Sequence, residues 1–402
     1  MVRSAGSEED RLRFRIGRVT FDKLKTAEKD VGDTDDRGAM TGKKTDGTGV
    51  TQTVTQGTAS AGLVSPVAGK AQPFSQQPVM DGYLVEGPLG RGGMAEVYKA
   101  QRVGTAGVAV PCVIKTIRSG KEHDVRFQEK FLAEARIHAQ MRHPNLVQVL
   151  DVGRVDHRLF LAMEWIEGMD GADLIRAARA RRIGIPLRHV LFVLKEVLQG
   201  LHHTHTHGGK GFVHRDISPG NLLISRQGAV KLADFGVARS AESLAADTRR
   251  SLAGKLHFFA PELVSGMGQA SVQSDIFALG VTLWEMLTCE PLFNRRARWS
   301  ELRREIMRFD PRALLEEELT LPEGLEEIVL RSLAARPEDR YPSALEFLED
   351  VNDFAYESGI RLLDAHFARY IERVLELKEG GGPQTLGAKL VADGETKGGP
   401  VQ

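Results

Sequence analysis

The stretch FVHRDISPGN, Phe212–Asn221, decides how the rest of the chain is read. Asp216 is placed as an acceptor for a hydroxyl proton, and Asn221, five residues later, as an oxygen ligand for a metal ion. Downstream, ADFGVAR (Ala233–Arg239) adds the carboxylate of Asp234, and FFAPE closes the segment at Glu262. Hard oxygen donors in this pattern suit Mg²⁺, which keeps waters and binds through one or two carboxylates plus substrate phosphates.

Upstream, LGRGGMAEV (Leu89–Val97) lies between two β-rich runs. Its small residues allow backbone N–H groups to approach phosphate oxygens closely. The candidate contacts are Leu89, Gly90, Arg91, Gly92, Gly93, Met94, Ala95, Glu96 and Val97. The third glycine of a G-x-G-x-x-G loop is replaced by Ala95, and an ordinary β-turn would share this composition. The run CVIK places Lys115 at the end of a strand pattern, with Glu134 on the helix that follows as its candidate partner. Taken singly, a strand lysine and a helix glutamate are usually exposed.

Composition narrows the function classes. Lys+Arg and Asp+Glu number 54 each, so charge gives no case for nucleic acid or an anionic membrane. Two cysteines far apart, Cys112 and Cys289, form neither a disulfide framework nor a zinc spacing, which fits a reducing compartment. No apolar run approaches the roughly 20 residues of a membrane helix, and the N-terminus lacks a signal-peptide core. The expectation is a soluble cytoplasmic protein with no membrane span.

Residues 1–80 are rich in Gly, Thr, Asp and Gln and are expected to be disordered. Residues 81–166 read as strands with one helix, which places Phe127, Phe131, Ala135 and His138 at helical spacing. Residues 167–358 read as mostly helical. Residues 359–377 read as an amphipathic helix with Ile360, Leu363, Phe367, Tyr370, Ile371 and Val374 on one face, followed by a flexible tail over 378–402. Strands first and helices after predict an α+β fold of two lobes, the first small and β-rich, the second larger and helical.

The ordered series of glycine-rich loop, V-I-K, helix Glu, H-R-D…N, D-F-G and A-P-E resembles the protein-kinase signature set. The chain is similar, over about 83–357, to the eukaryotic-like (Hanks-type) serine/threonine protein kinases of bacteria. The resemblance implies the bilobal kinase fold, ATP and Mg²⁺ as cofactors, and protein substrates with Ser/Thr hydroxyls. It implies that Lys115 contacts the α/β-phosphates and pairs with Glu134. Asp216 would take the substrate proton, and Asn221 and Asp234 would hold Mg²⁺. Met163 would stand behind the adenine, with Glu164 and Ile166 in the hinge. Asp275 would brace the H-R-D backbone, and Arg340 would pair with Glu262.

Two departures are complementary. The lysine usual two residues after the catalytic Asp is Ser218, and the threonine usual in its contact segment is Lys255, in GKLHFFAPE. They read as an exchange of roles, in which Lys255 brings the ammonium and Ser218 the hydroxyl. Arg215 precedes the catalytic Asp, an arrangement often governed by activation-loop phosphorylation, and Thr248 and Ser251 lie beside Arg249 and Arg250. The alternative is a nucleotide-binding pseudokinase or scaffold, which Ser218 and Ala95 favour and the retained Lys115, Glu134, Asp216, Asn221 and Asp234 oppose. Tyrosine specificity lacks its catalytic-loop Arg and Pro-rich docking loop. The histidines of HHTHTHGGKGFVH read as the end of a helix rather than a metal site. The Thr-rich N-terminal segment is a candidate own substrate, or a docking site for a phosphothreonine-reading partner.

Overall fold

The computed structural model describes residues 82–91, 95–118, 120–155, 158–209, 211–236, 256–266, 268–316 and 321–379. The expectations for residues 1–80 and 380–402, for Gly92, Gly93 and Met94, and for Thr248, Ser251 and Lys255 fall outside the described residues.

Three strands open the domain: β1 (Tyr83–Arg91), β2 (Ala95–Val103) and β3 (Ala109–Ile117). Helix α1 (Val125–Gln140) follows, then β4 (Val149–Val155) and β5 (Arg158–Glu164). The five strands pair antiparallel in the order β1-β2-β3-β5-β4. The two-residue period of a strand divides β3 between two cores. Cys112 and Ile114 pack with Tyr83, Tyr98, Ala100 and Phe160 on one side. Val113 and Ile117 pack with Phe131 and Ala135 of α1, and with Leu161 and Met163 of β5, on the other. Lys115 therefore lies on the face that α1 covers. Asp124 caps α1, its carboxylate accepting the Arg126 N–H at 3.0 Å.

The second part contains a small sheet that the reading of 167–358 as mostly helical did not anticipate. Strands β6 (Gly168–Asp170), β7 (Leu222–Ser225) and β8 (Val230–Leu232) pair in that order. They are too short for periodicity to show. Between β6 and β7 run α2 (Gly171–Arg181) and α3 (Leu187–Thr206). After β8 come α4 (Pro261–Ser265), α5 (Val272–Thr288), α6 (Trp299–Arg308), α7 (Ala313–Glu316), α8 (Leu325–Ser332) and α9 (Ala344–Glu357). Helix α5 is buried almost all round and starts from a Ser271/Ser274 capping box. It forms the axis of this part.

The last helix, α10, spans Asp364–Glu379. Ile360 and Leu363, expected on its apolar face, precede it, and Leu363 is exposed. Phe367, Tyr370, Ile371, Val374 and Leu375 are buried against the larger core. The His189 ring of α3 stacks on Tyr370 at 4.4 Å between centroids, and Phe192 lies 4.8 Å from Phe367. The β7–β8 turn closes on the same helix. A Cβ at Gly228, whose φ is +82°, would meet the Ala368 Cα at 2.8 Å, so this turn requires glycine twice over.

Two outcomes follow from this docking. Phe367→Ala should lower unfolding free energy by about 3–5 kcal/mol, read as a lower urea midpoint, because the ring is fully enclosed. The second concerns His189, which burial, with smaller contributions from Arg188 and His366, pushes from 6.5 down to about 3. The folded state keeps it neutral while the unfolded chain protonates near 6.5. Its contribution is therefore complete above pH 6.5 and is lost as pH falls towards 3, by about 1.4 kcal/mol per unit. His189→Phe should flatten the dependence of stability on pH between 4.5 and 6.5 by one proton.

Candidate active site

The two parts of the domain meet around Lys115. Its ammonium lies 2.6 Å from Glu134 Oε1 on α1 and 2.8 Å from Asp234 Oδ1, in the segment that follows β8. Lys115 is 8% exposed and Glu134 is largely buried with it, whereas the Asp234 side chain keeps 36% of its surface exposed. Burial alone would drive the lysine pKa down; Asp234 and Glu134 outweigh it and hold the ammonium well above its ordinary range. Burial likewise pushes the Glu134 carboxyl up, while Lys115 pulls it back.

The loop quoted at the outset is built on α5. Asp275 accepts the His214 N–H at 2.7 Å and the Arg215 N–H at 2.8 Å, and its Oδ2 lies 3.0 Å from His205 Nε2. These bonds hold Arg215 at φ +67°, a conformation uncommon for a residue with a side chain. Asp216, Ser218 and Asn221 follow, all buried. Asn221 donates its Nδ2 to the Asp216 carbonyl at 2.6 Å, which leaves its own carbonyl as the acceptor end. The Ala233 N–H donates to the Asn221 carbonyl at 2.9 Å, so the loop and the Asp234 segment share a backbone bond. Asp234 is itself at φ +58°. A Cβ on Gly236 would lie 3.0 Å from Asp216 Cβ and 3.1 Å from the Arg215 backbone, which is why the residue after Phe235 is glycine.

Other candidate residues divide by strand face. Val97 pairs with Lys115 across β2 and β3 and shares its face. Glu96 lies on the opposite face, buried, where it accepts the Tyr98 hydroxyl at 3.0 Å. Glu96 therefore presents no carboxylate to the Lys115 side of the sheet. Leu89, Gly90, Arg91 and Ala95 belong to β1 and β2. Met163 is buried with Leu161 beside α1. Glu164 turns its carboxylate away from the cleft, to the Gln148 N–H at 2.7 Å and Lys231 Nζ at 2.8 Å, so only its backbone is left for a ligand. The Ile166 N–H, two residues on, has no hydrogen-bond partner among the described residues.

Glu262 and Arg340 form a paired clamp, two contacts of 2.9 Å. The remaining guanidinium N–H groups go to the carbonyls of Ala334, Gln273 and Ala335, so this buried arginine is fully used. The histidine-rich stretch spreads over several tasks. His205 meets Asp275, His143 stacks on His203 at 5.0 Å, and His214 lies 4.6 Å from the Phe235 ring. Among the described residues no group of three His, Cys, Asp or Glu side chains is arranged to hold a metal. One residue was read only as part of an apolar stripe: His138, on the other side of Phe235, accepts that residue's N–H at Nε2, 3.3 Å away. Its signal in the sequence is a histidine at a core position, one helical turn after Glu134.

The comparison with known proteins agrees with this arrangement. The protein kinase domain profile matches residues 83–351. MasK of Myxococcus xanthus, described as a tyrosine-protein kinase, is 37% identical over 315 residues, covering 72% of this chain and 47% of that protein. The serine/threonine-protein kinase PknL of Mycobacterium tuberculosis is 32% identical over 293 residues, covering 73% and 70%. The serine/threonine-protein kinase PrkC of Bacillus subtilis is 31% identical over 271 residues, covering 67% and 40%. The chain thus spans under half the length of two of these three relatives. With its signature residues gathered around one buried lysine and the profile covering most of the described structure, the chain belongs to the protein kinase domain family.

Proposed function

We propose that this protein transfers the γ-phosphoryl group of Mg²⁺-ATP to Ser/Thr hydroxyls of proteins, its own chain included. The observation that carries this reading is the Lys115 ammonium held between Glu134 and Asp234, the arrangement in which α1 and the Asp234 segment are both drawn to the cleft. Lys115 orients the α/β-phosphates. The glycine-rich segment, Val97, and the backbone of Glu164 and Ile166 enclose the nucleotide. Asp216 takes the proton of the attacking hydroxyl while its oxygen bonds to the γ-phosphorus. The bond from that phosphorus to the β–γ bridging oxygen breaks, and ADP leaves. The donor set fits a hard cation: the Asp234 carboxylate and the Asn221 side-chain Oδ1 are the groups that would hold Mg²⁺. When bound, the ion neutralises charge on the phosphate oxygens.

Ser218 supplies no charge to the transferring phosphoryl. Lys255 brings the missing ammonium, a role argued from sequence since it lies outside the described residues. Charge on the equatorial oxygens is worth far more stabilisation in a water-poor site. Arg215 fits a regulatory role: its Nε is buried with no partner among the described residues, as expected of a group that awaits a phosphate on Thr248 or Ser251. Among the described residues no helix is long and apolar enough to cross a membrane. A cytoplasmic location fits that and the cysteine usage. The Thr-rich N-terminal segment would be an own substrate that a phosphothreonine-reading partner recognises.

A second reading, transfer to tyrosine, is favoured by the printed description of MasK. The pseudokinase alternative is disfavoured by the retention of Lys115, Glu134, Asp216, Asn221 and Asp234.

Asp216→Asn should reduce transfer of radiolabel from γ-labelled ATP by about 10²-fold or more, with nucleotide binding retained. Phosphoamino-acid analysis of the labelled protein should return phosphoserine and phosphothreonine; phosphotyrosine alone would establish the second reading, and no label at all the scaffold. Lys255→Ala should lower the rate by about 10²-fold at unchanged ATP affinity. The double change Ser218→Lys with Lys255→Thr should recover most of it.

A further inference from the structure

Helix α10 begins at Asp364, beyond residue 351 where the kinase domain profile ends, so its seat belongs to this chain and not to the profile. Its apolar face rests on α3, and each end reaches a different neighbour. Near its start, the Ala368 Cα stands 2.8 Å from where a Cβ of Gly228 would lie, in the β7–β8 turn. At its other end two contacts join it to α2. Lys378 Nζ lies 2.8 Å from Asp173 Oδ2, and Arg181 donates Nη2 to the Leu377 carbonyl at 3.2 Å. The ion pair links the last turn of α10 to the first turn of α2. A cation at a helix C-terminus and an anion at an N-terminus are each favoured by the helix dipole. Asp173 is held by its backbone too, its N–H donating to the capping carboxylate of Asp170 at 2.6 Å.

Both neighbours of α10 adjoin the groups that would hold Mg²⁺. A Cβ on Gly171, the first residue of α2, would lie 2.9 Å from the Pro219 carbonyl, so α2 starts directly against the turn Pro219–Asn221. Strand β7 begins at Leu222, next to Asn221, and β8 ends at Leu232, two residues before Asp234. Asn221 and Asp234 therefore flank one hairpin. Its tip meets α10, and its root meets α2. Burial of Phe367, Tyr370, Ile371, Val374 and Leu375 already anchors α10, and an exposed ion pair adds little to that. Apolar burial is non-directional, whereas the ion pair and the Arg181 bond fix where the end of α10 lies over α2.

We propose that Lys378, Asp173 and Arg181 are positioning residues: by clamping α10 to α2 they hold the β7–β8 hairpin between two supports and so set the placement of Asn221 and Asp234. The effect on metal use rests on the phosphoryl-transfer reading; the clamp itself does not.

The test uses the full chain. Lys378→Glu sets two carboxylates face to face, Arg181→Met removes the bond to Leu377 while keeping an apolar stem, and Lys378→Arg keeps the pair. Arg179→Ala is the control, since it breaks the 2.6 Å Arg179–Glu290 pair on α2 without touching α10. The readouts are the Mg²⁺ concentration for half-maximal binding of a fluorescent ADP analogue, and hydrogen–deuterium exchange of the peptide spanning Leu222–Leu232. Lys378→Glu and Arg181→Met should each raise the Mg²⁺ requirement about two- to fivefold and speed hairpin exchange by a similar factor. Lys378→Arg and Arg179→Ala should match wild type in both. Lys378→Ala replaces either disruptive variant that does not fold. An unchanged Mg²⁺ requirement and unchanged exchange in the disruptive variants overturn the proposal. So does an equal shift in Arg179→Ala, which would mark a general loosening of α2. A wild-type protein that binds analogue and ion yet transfers no label from γ-labelled ATP sinks the phosphoryl-transfer reading, while these two measurements still decide the clamp.

Discussion

A single buried ammonium, shared by two carboxylates, is the constraint on which the site depends. Lys115 comes from β3, Glu134 from α1 and Asp234 from the segment after β8. Lys115 and Glu134 are buried charges that each need a partner, whereas Asp234 keeps about a third of its side chain exposed. A buried ion left without its partner costs several kcal/mol, so Lys115 and Glu134 depend on each other most strongly. The sheet, the helix and the Asp234 segment therefore behave as one unit, although they lie far apart in the chain. The strand period that turns Lys115 towards α1 and the helical spacing that turns Glu134 back are the two local rules that make the meeting possible.

The opposite wall is held differently. Arg215 and Asp234 both sit at positive φ, a strain of order 1–3 kcal/mol each that persists only where surroundings over-determine it. Asp275 supplies that determination on one side, accepting two successive backbone N–H groups from a helix that is itself buried almost all round. The Ala233–Asn221 bond and the close approach of Gly236 to Asp216 supply it on the other. Asp216 and Asp234 are thereby fixed relative to each other through backbone contacts, which side-chain rotamer changes do not disturb.

How much of this was legible in the sequence depends on the kind of information each residue carries. Lys115, Glu134, Asp216, Asn221, Asp234, Asp275, Glu262 and Arg340 could be named because a chemically demanding residue type stands at a fixed place in an ordered series. The β6–β8 sheet could not, because strands of three or four residues leave no alternation to detect. The late start of α10 was missed because Ile360 and Leu363 continue the apolar spacing before the helix begins. Glu96 was named for its backbone beside the glycines, and strand alternation turns its carboxylate to the far side of the sheet beside Tyr98. His138 was hidden by its own periodicity. A histidine at a core position reads as packing until the partner of its ring nitrogen is known.

The charge balance of the centre bears on the two substitutions that set this chain apart. In the group of Lys115, Glu134 and Asp234, two carboxylates share one ammonium before a polyanionic nucleotide arrives. Two like-charged groups a few ångströms apart in a water-poor cleft repel strongly, and the repulsion grows as the surroundings lose water. On the phosphoryl-transfer proposal, binding a triphosphate there requires added positive charge, and a divalent ion, which Asp234 and Asn221 would hold, would meet part of that demand. On the same proposal, such an ion would not serve the side where the hydroxyl arrives, beside Asp216 and Ser218. Ser218 carries no charge, so the proposal assigns that cation to a residue outside the loop. On the phosphoryl-transfer proposal, Lys255 is the residue the sequence offers for that role.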